Sequence, residues 1–184
     1  MFPITVTEIM SMAVITVVLG YIFADFISRP KEPFEYLSGA SRWKDIKFAS
    51  LVIAPAVIVH ELFHKFVAMG FGLPAFFKVY WFGLFLGLAL KMMHAPLLII
   101  APAYVIYPAA THFQNMLIAF AGPFANLLMW VGATLWLKYG KVRRKTELVL
   151  ALTRKINFFL FVFNMIPLPP LDGYHFFSNL IAML

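Results

Sequence analysis

Cysteine is absent from this chain of 184 residues, which removes disulfides, thiolate metal sites and a cysteine nucleophile together. Any metal held here must be bound by His, Asp or Glu. Charge is scarce as well: Asp, Glu, Lys and Arg make up 12% of the residues, where soluble domains carry about a quarter. Apolar side chains fill the space. Hydrophobic residues reach 62%, including 21 Phe, 4 Trp and 7 Tyr, and the mean hydropathy is +0.87. Such a composition excludes a soluble globule, a disordered chain, a collagen-like repeat and a coiled coil. It describes a membrane protein. The 8 acidic residues are outnumbered by 15 Lys and Arg, for a net charge of +7. These basic residues fall between apolar runs, so they read as loops facing anionic lipid head groups and not as a nucleic-acid surface.

The apolar runs set the organisation. Ile9 to Ile27 is 19 residues long, enough for a helix to cross a hydrocarbon core of about 30 Å. With no basic region before it and no small-residue cleavage site after it, this is a span and not a removed signal peptide. A polar loop over 29 to 47 follows, broken by Pro30, Pro33 and Gly39. Phe48 to Met69 is a second span, Phe113 to Leu137 a third, and Leu148 to Leu168 a fourth, while Tyr174 to Leu184 begins a helix too short to cross alone. Between them, Phe76 to Ala110 is apolar but interrupted by Lys91, His94 and three prolines. It reads as an extended or re-entrant hairpin, since irregular backbone survives at membrane depth only where protein or water covers it. The expected fold is an all-α membrane protein, a polytopic bundle of about four to five transmembrane helices with an irregular or β-hairpin membrane-associated insertion. Residues 1–184 are expected to form a single integral-membrane core, multi-pass in the cell membrane, either minimal or clipped at its C-terminus.

One cluster is out of place in this pattern. His60-Glu61-Leu62-Phe63-His64 puts three ionisable groups within five residues of an apolar span. Each costs about 2.5 to 3.5 kcal/mol to insert, so they call for a partner, a cavity or an ion. The alternative is a self-satisfied polar patch used in helix packing. On a helix the two His lie on one face a turn apart and both can reach one metal ion. Glu61, one step round, can stand beside the metal without binding it and take a proton from water. Lys65 is expected to snorkel to the interface. Two His leave a zinc site one ligand short, and without Cys the third must be another His or a carboxylate. Among the acids other than Glu61, Asp172 alone lies beside the second half of an apolar span. It sits in a turn whose approach is fixed by Pro169 and Pro170 and whose exit is opened by Gly173.

His60-Glu61-x-x-His64 in one span, with Asn164-x-x-Pro167-x-Pro-Pro-Leu-Asp172-Gly173 at the end of a later one, resembles the site-2 protease family of intramembrane zinc metalloproteases. Phe120-Ala-Gly-Pro-Phe-Ala-Asn126 resembles that family's small-residue Gly-Pro motif, and the likeness covers residues 48 to 173. Carried over by position, it implies that His60, His64 and Asp172 bind one Zn2+ ion. Glu61 becomes the general base and acid, and Asn164 helps hold the substrate peptide or its oxyanion. The implied substrate is a transmembrane-helix protein, cleaved within or near its membrane segment, as in regulated intramembrane proteolysis. Because a helix engages its own carbonyls, that segment must unwind and be held extended, by addition to an edge of the 76 to 94 hairpin. The chain has no room for the PDZ or nucleotide-sensing domains of larger relatives.

Several residues keep two readings. Asn126 is either functional or a helix–helix hydrogen bond beside Gly122, and His175 either supports the site from behind Asp172 or lies at the interface. His94 and His112 read as water-facing. Gly83-x-x-x-Gly87 marks either close helix packing or relief of crowding. Orientation is contested: 12 basic residues in 29 to 47 and 138 to 155 oppose Lys65, Lys78 and Lys91 on the face nearer the motifs, which places those loops in the cytoplasm. The family resemblance implies the reverse. Three other functions compete. A non-catalytic zinc sensor or scaffold has no use for Glu61, and an ion or proton transporter has no visible inverted repeat to support it. An unrelated membrane metallopeptidase would take its third ligand from somewhere other than Asp172.

Overall fold

A computed structural model of the chain describes residues 4–27, 29, 41–95 and 101–184. Within them the chain forms α1 (Val6–Phe23), α2 (Ser41–Gly70), β1 (Phe76–Val79), α3 (Trp81–Met92), β2 (Ala103–Ile106), α4 (His112–Tyr139), α5 (Arg144–Asn164) and α6 (Asp172–Ile181). The breakers Pro30, Pro33 and Gly39 lie outside the described residues. α1, α2 from Arg42 onward and α4 are long and apolar enough to cross a membrane by length and composition. α5 differs from them, because its first twelve positions carry Arg144, Lys145, Glu147, Arg154 and Lys155. It also stops at Asn164, four residues before the expected end, ahead of the prolines at 167, 169 and 170. The expected hairpin over 76 to 110 is a strand at either end, β1 paired with β2, with the 12-residue helix α3 between them.

The ends of these helices follow from local chemistry. Thr5 caps α1 and Thr111 caps α4, each in a reciprocal capping box, with Glu8 and Gln114 respectively. α2 closes through Gly72, whose φ of +76° is open to glycine. There the Leu73 N–H donates to Ala68 O at 3.1 Å and the Gly72 N–H to Met69 O at 2.9 Å, the paired bonds of a Schellman stop.

The chain divides into two compact units, one made of Met1–Pro55 with Lys78–Tyr104, the other of Ala56–Phe77 with Val105–Leu184. In the first, α1 packs on the opening half of α2 through small residues. A Cβ on Gly20 would overlap the Ser50 side chain, and Ser50 Oγ donates to Thr16 O at 3.1 Å. Ile15, Leu19, Ile22, Ala49 and Val52 are buried around that contact. Gly83 of α3 is equally committed, because a Cβ there would meet the Ala101 carbonyl, which decides for close backbone approach at this glycine.

Lys91 departs from expectation. It is 8% exposed, and its Nζ donates to Ile22 O at 3.0 Å and Asp25 Oδ2 at 2.7 Å, above the Tyr21 ring. Its charge therefore sits at the C-terminal end of α1. The last carbonyls of a helix lack partners and carry partial negative charge, which draws a cation there.

In the second unit α4 is the central element and packs against both α5 and α6. Its buried face is made of small residues, Ala119, Ala121, Gly122 and Ala125, which lets neighbouring backbones approach. Aromatic pairs fill the outer contacts: Phe120 with Phe176 at 5.4 Å between ring centroids and Trp130 with Phe158 at 5.1 Å.

Candidate metal centre

His60 and His64 project from one face of α2, one turn apart, with ring centroids 4.7 Å from each other. Asp172 opens α6, where a carboxylate suits the positive end of the helix dipole. Its placement depends on Gly173: a Cβ there would lie 2.5 Å from the Met165 carbonyl and 2.6 Å from that of Ile166. The missing side chain lets α6 start tight against the chain leaving α5. Asp172 Oδ2 then stands 3.0 Å from His60 Nε2 and 3.4 Å from His64 Nε2, and the two Nε2 atoms are 3.1 Å apart. The three residues expected as ligands from the sequence converge in space, with all their donor atoms within 4.8 Å of one another.

The outward nitrogens of both rings are already engaged. His64 Nδ1 lies 2.6 Å from Ile118 O, and His60 Nδ1 lies 2.6 Å from Asn126 Oδ1. A carbonyl or amide oxygen only accepts, so each Nδ1 carries the hydrogen, and in the neutral ring each Nε2 turns a lone pair inward. Two lone pairs and a carboxylate oxygen facing one another repel unless a cation lies among them. Gly122 completes the cradle: a Cβ at this position would overlap Nε2 of both His60 and His64. Two imidazole nitrogens and a carboxylate oxygen converging at one point fit an N,N,O metal ion such as zinc.

The other expected residues are distributed unevenly. Glu61 is half-buried, and among the described residues its carboxylate has no hydrogen-bond partner. Asn164, the last residue of α5, is half-buried and makes no hydrogen bond to the three converging residues. Asn126 is fully buried and bonded to His60, which settles its place behind that ring. His175 is exposed, with its ring against Tyr174 and no bond to Asp172. His112 is exposed and paired with Asn179, and His94 is exposed as expected. Lys65 does not snorkel: it is 1% exposed and is not without a partner, because its side of α2 is buried while the adjacent Phe66 faces outward.

Two participants were missed from the sequence. Tyr107, just beyond β2, has its phenol pushed up by burial and further by the Asp172 charge. Asn157 is 0% exposed and bonded to Asn126. Its signal was available, since an amide inside the apolar half of a helix demands a partner.

The comparisons agree with this chemistry. A protein of Methanocaldococcus jannaschii named "Putative zinc metalloprotease" is 32% identical over 124 residues, which is 67% of this chain and 65% of the relative. A second protein of that name, from Synechocystis, is 28% identical over 148 residues, 80% of this chain and 35% of the relative. The chain is homologous to both, in keeping with the site-2 protease resemblance of its motifs. It spans about two thirds of the length of the first relative and about a third of the second. No family model matches the chain, and no solved structure matches it.

Proposed function

We propose that this chain is a multi-pass membrane zinc metalloprotease of the cell membrane, which hydrolyses a peptide bond within or near a transmembrane segment of another membrane protein. The observation that carries the reading is the convergence of His60 Nε2, His64 Nε2 and Asp172 Oδ2 on one buried point with their lone pairs turned inward. These three residues would hold one Zn2+. When bound, zinc supplies a Lewis acid that polarises the scissile carbonyl and eases loss of a proton from water.

The rest of the reaction falls to the chain's own groups. Glu61, adjacent to a ligand and free of hydrogen bonds among the described residues, is the general base: it takes a proton from the attacking water as oxygen adds to the carbonyl carbon. As the C–N bond breaks, Glu61 returns that proton to the leaving amine, so the acid and amine products balance the water consumed. Among the described residues the Asn164 amide at the end of α5 makes no side-chain hydrogen bond, which suits it to hold the substrate peptide or its oxyanion. A substrate helix must unwind before its carbonyl can react, and the two-stranded sheet of β1 and β2 has edges to which an extended segment can add. Release of a membrane-held protein by such a cut would serve regulated intramembrane proteolysis.

The test compares purified, zinc-loaded chain with Glu61→Gln of equal zinc content on a labelled transmembrane peptide in liposomes. General acid–base catalysis contributes about 100- to 10,000-fold, so cleavage by the variant should fall at least that far. Equal cleavage by both would refute the assignment of Glu61. Zinc bound by both without cleavage of any transmembrane peptide would favour a zinc sensor or scaffold.

A further inference from the structure

We propose that Asn157 and Asn126 form a relay that fixes the tautomer of His60, so that the ring is held with Nε2 unprotonated toward the metal position before any ion arrives. The inference rests on the metal-centre reading above and assigns both amides as positioning residues.

The argument runs outward from an atom whose role is certain. Thr153 O is a backbone carbonyl and can only accept, so the Asn157 atom 2.8 Å from it is Nδ2. Asn157 Oδ1 therefore faces the other way, and the Asn126 atom 2.8 Å from it must be the donor Nδ2. A second backbone carbonyl gives the same polarity independently, because Ala56 O lies 3.0 Å from that same Nδ2. Both hydrogens of the Asn126 amide are thus spent on acceptors. Its Oδ1 is left for His60 Nδ1 at 2.6 Å, which must donate. Turning over either amide would set oxygen against oxygen at Ala56 or Thr153. Both asparagines are 0% exposed, so water cannot repair such a mismatch.

The two ligand rings are held by different means. His64 donates straight to the Ile118 carbonyl, an acceptor built into the backbone of α4. Among the described residues His60 Nδ1 meets a side-chain amide in place of a backbone acceptor, and that amide is held in one direction by Ala56 O and Asn157 Oδ1 together. Partners behind a metal-binding His set its tautomer and ring orientation, and their loss typically weakens metal binding about 10- to 100-fold.

The test uses the full chain in detergent, with ring-15N histidine and with zinc affinity read by chelator competition. In the metal-free protein, at a pH where the ring is neutral, His60 of the wild type should show a protonated Nδ1 and a bare Nε2, assigned by comparison with His60→Asn. Asn126→Leu should lose that preference and bind zinc about 10- to 100-fold more weakly, with Asn157→Leu at the lower end of that range. Asn157→Asp should restore the wild-type behaviour, because a buried neutral carboxylic acid can donate to Thr153 O and accept from Asn126. Unchanged ring signals and zinc affinity in Asn157→Leu would overturn the relay, as would an Asp variant as impaired as Leu. If Asn157→Leu fails to accumulate, Asn157→Ala removes the same amide without adding bulk and is read the same way. A wild type that binds no zinc would instead refute the metal reading, while the ring protons would still judge the relay.

Discussion

Two carboxylates of this chain sit among nitrogen atoms, Asp25 in the first unit and Asp172 in the second, and the kind of nitrogen separates their roles. Asp25 meets the Lys91 ammonium at 2.7 Å, with Arg42 Nη1 at 3.8 Å, so its charge is answered by groups that carry protons permanently. Asp172 meets two imidazoles whose hydrogens are turned away to Ile118 O and Asn126 Oδ1. The first arrangement is complete as it stands. The second is a set of converging acceptors whose mutual repulsion a cation would relieve. Proximity of acid and base is common to both, and the direction of the hydrogens distinguishes a structural ion pair from a metal centre.

Removing a ligand should separate the two most sharply. Asp172→Ala and His64→Ala should each lose stoichiometric zinc, measured by metal analysis after gel filtration, because a site with two protein ligands does not retain the ion. Lys91→Met should leave zinc content at the wild-type level. Zinc retained in full by Asp172→Ala would mean that the third ligand lies elsewhere.

A subtler disturbance adds an atom. Gly122→Ala places a methyl group where it overlaps both Nε2 atoms, and zinc affinity should drop more than tenfold. Moving the two buried rings costs about 1 to 3 kcal/mol, and alanine offsets about 1 kcal/mol of that as a better helix former than glycine, so the melting temperature of the metal-free chain should change by only a few degrees. Lost zinc with little change in stability would identify the glycine as space kept for the ion. Lost stability with zinc retained would show that it serves helix packing alone.

These experiments also bear on what could be read in advance. The convergence of His60, His64 and Asp172 was legible because the candidate chemistry is periodic and sparse: two His one helical turn apart, no Cys to compete, and a single suitably placed acid at Asp172. The spans were legible for the same reason, apart from α5, where Arg154 and Lys155 interrupt the apolar run and Arg144, Lys145 and Glu147 open the helix ahead of it. What stayed hidden depends on pairing across helices. Nothing in the sequence near Lys91 points to the last turn of α1, and nothing near Asn157 points to Asn126, 31 residues earlier. Lys65 was misjudged by a rule for exposed helix ends, applied to a side of the helix that the fold buries.

Lys91 itself should matter to stability. Its buried head makes charged hydrogen bonds to Ile22 O and Asp25, and such bonds contribute about 1.5 to 3 kcal/mol. Because the Asp25 side chain is 58% exposed, screening discounts that half of the contact, and Lys91→Met should cost about 1 to 2 kcal/mol in a thermal melt. A loss under a few tenths would place the pair among ornamental surface contacts.

The smallest effect tests the same pair through pH. The hydrogen bond from Lys91, with its charge and that of Arg42, holds the Asp25 carboxyl below its ordinary range against the opposing effect of burial. A carboxyl depressed in the folded state adds stability at pH values above its unfolded range, and that contribution disappears as acid protonates it in the folded protein. For a pair this exposed the contribution is about 0.2 to 1 kcal/mol. Asp25→Asn should therefore lower stability by that amount at neutral pH and match the wild type in strong acid, where the wild-type carboxyl is also neutral. The two curves should converge on the acid side of the usual carboxylate range and run parallel above it. A gap that persists unchanged at low pH would mean that Asp25 acts through shape and not through the Lys91 charge. The contrast with Asp172 would then rest on one charged site instead of two.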